Sequence, residues 1–231
     1  MRQLSYRRKI RCSYSFMKVI SMATAILLLA VGCTTTNIDE ARQGYTGIED
    51  HESVVVLGRR HKGDYDTEID FIQCVGSSLE GKSSLDVVPE QEFTDRLYPW
   101  FEPRTAPVRI DGLHNLLQQK NISQRIFDMG IRYIIWVDGS TETTGSAGSI
   151  ACSIGPGGAG CLGFGTWDNE SLYEAAIWDF ENMTTVGKIK ADAKGTSYMP
   201  AIVVPIPLLA RVKANACKGL SDQLRSFLIS E

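Results

Sequence analysis

The chain has 231 residues, 43% of them hydrophobic and 22% charged, with 24 Lys and Arg against 27 Asp and Glu. The charge is unevenly placed: Arg2, Arg7, Arg8, Lys9, Arg11 and Lys18 all lie in residues 1–32, which hold no Asp or Glu. The remaining 199 residues therefore carry 18 basic and 27 acidic side chains, a net charge of −9, and suffice for one well-cored domain. An acidic body without a basic cluster argues against nucleic acid or an anionic lipid surface as a partner.

The first element in chain order is an apolar run, Val19–Val31, behind that basic start. This is the layout of a secretory signal, and the run is too short to span a bilayer comfortably as a permanent helix. It ends in Leu29-Ala30-Val31-Gly32-Cys33. Small residues before a cysteine resemble the lipobox of bacterial lipoproteins, although Leu is commoner than Ala at the position of Ala30. The resemblance implies a diacylglycerol on the Cys33 thiol and cleavage before it. The partner is then the membrane, through a lipid anchor at Cys33, and several acyl chains give stable attachment. Thr34, where an Asp would favour the inner membrane, implies a periplasm-facing place on the outer membrane of a Gram-negative envelope. Met17-Lys18 is an alternative start for this signal. The expected organisation is a signal peptide over 1–32, a lipidated tether over 33–51 and a single α/β periplasmic domain over 52–231.

Cys12 leaves with the signal and Cys33 takes the lipid, so four cysteines remain: Cys74, Cys152, Cys161 and Cys217. An even remainder in an oxidising compartment suggests disulfides. Three pairings are open. Cys152–Cys161 is the local choice, and Cys74–Cys217 then joins two predicted helices; buried free thiols are the other reading. With no C-x-x-C pair and no His beside any of the four, no metal is expected.

Residues 34–51 are polar and without periodicity, as befits a tether. Ser53–Gly58 is a β-branched run and the first predicted strand, buried on both faces. Asp66–Leu79 reads as a helix with Thr67 and Asp70 as a capping box and Ile69, Ile72, Val75 and Leu79 inward. Ser84–Pro89 is a short strand, followed by a turn of helix with Phe93 and Leu97. Leu97–Pro107, dense in rings and prolines, reads as an irregular cover for the core's edge, with a recognition loop as the alternative. Asp111–Gln119 and Asn121–Met129 are short helices, with Leu113, Leu116, Leu117, Ile122, Ile126 and Phe127 inward and Gly130 at the stop.

Ile131–Val137 is the clearest strand and is expected to end at Asp138-Gly139. Ser140–Trp167 is rich in Gly and Ser and nearly uncharged beyond Glu142, and reads as a loop containing a disulfide-pinned hairpin. Within it Gly155-Pro156-Gly157-Gly158-Ala159-Gly160 matches G-x-G-x-x-G, but no helix follows to meet a pyrophosphate, so no nucleotide is expected. The glycines instead serve tight turning, with positive φ where needed. Glu170–Phe180 and Thr185–Gly195 alternate as the arms of a hairpin. Met199–Pro207 is an extended connector, and Leu208–Leu228 is the last helix, with Leu209, Val212, Ala216, Leu220, Leu224 and Phe227 as its stripe.

The expected fold class is α+β: a mixed sheet of about five strands with the first and last helices packed together on one face. Ser53–Gly58, Arg132–Gly139 (RYIIWVDG), Tyr173–Asn182 (YEAAIWDFEN) and the terminal helix resemble the small α/β domain shared by the TolB amino-terminal region and the curli-secretion lipoprotein. The Gly-rich cysteine segment departs from that pattern, so no functional residues carry over. His51, His61 and His114 have no nucleophile motif beside them. Asp138, Glu142 and Asp179 are the carboxylates an enzyme reading would use, and no catalytic residue or cofactor is expected. The expected role is a non-enzymatic envelope lipoprotein that binds or helps assemble a protein partner. The alternative is an oligomeric pore or secretion accessory using Ser146–Gly165, although its glycines suit a membrane hairpin poorly.

Overall fold

The computed structural model describes residues 34–61, 64–65, 67–82, 85–101, 105–107, 110–156 and 158–229. Cys33, its lipobox and the signal-like run before it lie outside the described residues. In chain order the elements are β1 (Thr34–Arg42), β2 (Ser53–Gly58), β3 (Arg60–His61), β4 (Asp64–Tyr65), α1 (Ile69–Lys82) and β5 (Asp86–Val88). They continue with α2 (Glu90–Arg96), α3 (Ile110–Leu117), α4 (Lys120–Phe127), β6 (Ile131–Gly155), β7 (Gly158–Asp179), β8 (Thr184–Pro205) and α5 (Val212–Ile229).

The fold is α+β, with a mixed six-stranded sheet in the order β1-β8-β7-β6-β2-β5 and a separate β3–β4 ribbon. The apolar run of β2 is buried at every residue and lies parallel to both its neighbours, β5 and β6. Helical crossovers are what parallel pairing requires, and helices cover both faces of the central strands. On one face α1 and α5 pack together: Phe71, Val75 and Leu79 meet Ala216, Leu220, Leu224 and Phe227 over Tyr133, Ile135, Tyr173 and Ile177. On the other, Phe93, Leu113, Leu117, Ile122 and Ile126 of α2–α4 cover Val55, Leu57, Ile134, Trp136 and Trp178. Each such fully buried side chain contributes about 1.5–3 kcal/mol. A Cys74–Cys217 disulfide ties α1 to α5 inside the first core.

The sheet has six strands rather than five because residues 34–42, expected as part of a tether, form β1, antiparallel to Gly187–Gly195 of β8. An edge strand held by backbone pairing needs little apolar pattern, and TTTNIDEAR has little. Four smaller expectations also change. Thr67 Oγ1 donates to the Val137 carbonyl of β6 at 3.1 Å instead of serving a capping box. Ile69 is exposed, and Phe71 takes the core position, stacked on Tyr173 with centroids 3.5 Å apart. Phe127 is 71% exposed, because it lies about 100° round the helix from Ile126, which faces the core. The last helix begins at Val212 rather than Leu208, since residues 206–208 are spent on pairing with β8 and leave Leu209 outward.

The largest correction concerns residues 138–167. The strand expected to stop at Asp138-Gly139 runs on to Gly155, and the expected loop is a ladder with β7 that extends from Tyr133↔Asp179 to Gly155↔Gly158. Met199–Pro205, expected as a connector, continues β8 alongside it.

Candidate functional site

Beyond Val137, Tyr173 and Ala193 the three long strands leave both cores: no residue between Asp138 and Leu172 belongs to either. What remains is a three-stranded arm built from Asp138–Gly155, Gly158–Leu172 and Thr196–Pro205, of which the sequence indicated only the disulfide-pinned hairpin.

The arm is fixed at its base by hydrogen bonds from Glu68, just before α1. Glu68 Oε1 accepts the Thr141 N–H at 3.1 Å, and Oε2 accepts the Tyr173 hydroxyl at 2.8 Å. The Thr141 hydroxyl lies 2.9 Å from that of Tyr173 and 2.7 Å from that of Ser171. Burial pushes the Tyr173 phenol well above its ordinary range; the hydrogen bond from Thr141 works against that shift, and the Glu68 carboxylate adds to it. At the tip, Cys152 and Cys161 face each other across the ladder and are bonded.

Gly139, Gly148 and Gly163 let β6 and β7 approach so closely, the last two in the outer part of the arm. Gly148 has φ +97° and Gly163 φ +150°; a Cβ on them would lie 2.1 Å from the Phe164 carbonyl oxygen and 2.2 Å from that of Ser149. No side chain fits at either place.

The register sorts the arm's side chains. Leu162 pairs with Ile202, Phe164 with Pro200 and Thr166 with Tyr198, all on one face, and the Phe164 and Tyr198 rings are 6.1 Å apart. That face is uncovered: Leu162 is 72% and Ile202 78% exposed. A contiguous apolar surface of this kind marks an interaction site more often than a single exposed Leu does.

The two edges of the arm differ. The β8 edge is covered by β1 up to Gly195 and then by the chain's own return, where Tyr198 and Leu208 exchange backbone bonds at 2.9 and 2.7 Å and the Ile206 N–H reaches the Pro200 carbonyl at 3.0 Å. The β6 edge is covered by β2 as far as Val137. From Thr143 to Gly155 it has no strand beside it among the described residues.

The residues singled out from sequence fare differently. The four cysteines form two pairs, each brought together by the fold. The carboxylates of the enzyme reading do not meet. Asp138 is held by Arg59 at 2.7 Å, while Asp179 is buried and held by Arg132 at 2.9 Å and the Asn182 amide at 2.9 Å. Glu142 lies four residues along β6 from Asp138, about 13 Å away. His114 packs edge-on against Trp178, 5.1 Å between centroids, and His51 lies in an exposed turn. Among the described residues no group of three or more His, Cys, Asp or Glu is placed to hold a metal ion, and no helix is long and apolar enough to cross a membrane. A groove between α1 and the β5–α2 turn is lined by Ile72, Gly76, Ser77, Val87 and Gln91. Its partly buried Glu90, whose pKa is raised by desolvation, is engaged by the Gly58 N–H at 3.2 Å and by Arg60 at 3.6 Å, a structural arrangement.

The sequence matches no protein-family model and no curated protein. Among solved structures the chain is similar to the PelC dodecamer protein of Paraburkholderia phytofirmans, at 10% identity and a TM-score of 0.40, over 85% of this chain and 100% of that one. It is also similar to a neuraminyllactose-binding hemagglutinin homologue from Helicobacter pylori, at 10% identity and a TM-score of 0.37, over 82% of this chain and 92% of that one. Likeness at this distance transfers no role, and the arm has to be read from its own chemistry.

Proposed function

We propose that this chain is a lipid-anchored envelope protein with a non-enzymatic binding role in a protein assembly, and that the β6–β8 arm is its binding element. The observation that carries this reading is the arm itself: some thirteen residues of uncovered strand edge and an apolar face, projecting from a body whose central strands are covered on both faces. The cost of leaving that surface in water has no counterpart in the stability of the fold. The anchor is the Cys33 lipid implied by the lipobox, and the acidic body supports a protein rather than a nucleic-acid partner.

The test uses the full chain purified from its membrane. Intact mass should show Cys33 acylated and the other four cysteines protected. On native gels of detergent-solubilised envelope, Leu162→Asp/Ile202→Asp should abolish the high-mass complex formed by the wild type while the circular dichroism of the purified protein stays unchanged. A complex that survives the double substitution would remove the arm from the reading. An unacylated mass would remove the anchor.

A further inference from the structure

We propose that the bare edge of β6 is the contact through which two copies of this chain join, antiparallel and about a two-fold axis, so that two arms become one continuous sheet. The inference rests on reading the arm as the binding element and names what binds there first: a second copy.

Unpaired strand edges are templates for pairing, and proteins blunt them with charge, proline, shortness or cover. Among the described residues every other edge of the six-stranded sheet is treated in one of those ways. β1 carries Asp39, Glu40 and Arg42. β5 is three residues long and ends at Pro89. The β8 edge is covered first by β1 and then by Ile206–Leu208. The β6 edge from Thr143 to Gly155, TTGSAGSIACSIG, has no charge and no proline and is about 44 Å long.

That composition suits pairing with itself. In an antiparallel two-fold pairing each residue of the edge faces another residue of the same segment, and like charges directly opposite would oppose the contact. No register of this segment on its own copy sets one charge against another, because it holds none. The partner's edge is equally long and equally ordered, since the Cys152–Cys161 bond and the β7 ladder hold both edges extended before they meet. Association then orders little new chain. A short peptide would use only part of such an edge and would have to be ordered on binding.

The symmetry follows from the other side of the arm. Head-to-tail growth needs a second free edge to receive the first, and the β8 edge is occupied at Tyr198 and Pro200 by the return of the chain. Pairing of β6 with β6 uses the long uncharged edge that each copy offers among the described residues and closes at two.

The experiment takes the full-length protein in detergent. Native mass spectrometry should give the mass of two chains. Ser146→Cys, Ser149→Cys and Ser153→Cys, each alone in the wild-type background and mildly oxidised, should yield a covalent dimer from at least one position. Asn121→Cys, on the exposed side of α4, should yield none above wild type. At the position that cross-links best, replacement by Glu should leave monomers, replacement by Lys should leave monomers, and mixing the two variants should restore the dimer. Monomers of the wild type at micromolar concentration, assemblies larger than two, or failure of the Glu and Lys variants to rescue one another would each overturn the inference. If the wild type is monomeric yet Leu162→Asp/Ile202→Asp still abolishes the envelope complex, the second copy is wrong and the binding arm stands, with a strand from a different protein as its occupant. If the dimer forms and the face substitutions change nothing in the envelope, the role proposed for the arm fails instead.

Discussion

Tyr173 shows how one residue couples the core to the arm. Its ring stacks on Phe71 of α1, and its hydroxyl donates to Glu68, which also holds the Thr141 N–H. Tyr173→Phe keeps the ring and removes a hydrogen bond to a carboxylate, so it should cost about 1.5–3 kcal/mol in urea denaturation. The same residue gives a pH dependence. Its folded pKa lies above its unfolded value, so above roughly pH 10 the unfolded chain has lost a proton that the folded chain keeps. Stability should therefore fall as pH rises past that point, and less steeply in Tyr173→Phe; equal slopes would mean that Tyr173 does not contribute. At Gly148 and Gly163 the chain has no room for a side chain. Gly148→Ala combines a positive φ with a collision on the Phe164 carbonyl. It should speed amide exchange in 146–165 by at least about tenfold, the equivalent of ~1.4 kcal/mol, and leave exchange in β2 unchanged.

The two disulfides act on different elements and should register in different measurements. Cys74–Cys217 bridges 143 residues of sequence and joins two helices within one core. Cys74→Ser/Cys217→Ser should lower global stability by about 2–4 kcal/mol in a denaturant titration. Cys152–Cys161 joins strands that are already paired, at the exposed end of the arm. Cys152→Ser/Cys161→Ser should move the global midpoint by less than about 1 kcal/mol, with the change confined to faster exchange at the tip. A sequence signal for this hairpin did exist. Cys152 and Cys161 lie three residues outside Gly155 and Gly158, which pair with each other, so the ladder sets the cysteines directly opposite. The remainder of β6 carried no such mark, since Gly, Ser and Ala lack both β propensity and the apolar alternation that separates a buried face from a wet one.

At the scale of the whole molecule the chain divides into a covered body and an uncovered arm, and stability should follow that division. Hydrogen exchange should be slowest in Val54–Leu57, Ile134–Val137 and Ala175–Ile177, where helices lie over both faces, and fastest in the outer halves of β6 and β7. Leu162→Asp/Ile202→Asp should leave the denaturation midpoint within about 0.5 kcal/mol of wild type, since both side chains are already largely in water. A large loss would mean that the arm's apolar face is part of the fold and not a surface kept for a partner.

The sequence by itself determined the elements whose patterns are local: the buried runs of β2 and the start of β6, the stripe of α5, the cysteine remainder and the acidic body. It also led to the expectation that α1 and α5 share a face, and the Cys74–Cys217 bond and their common core bear this out. The tertiary structure alone decided that Thr34–Arg42 is an edge strand and that Ser140–Gly155 is extended and bare on one side. The reason is physical. Both segments are held by backbone hydrogen bonds to residues far along the chain, β1 to β8 and the β6 edge to β7, and backbone pairing places almost no demand on the side chains that a sequence displays.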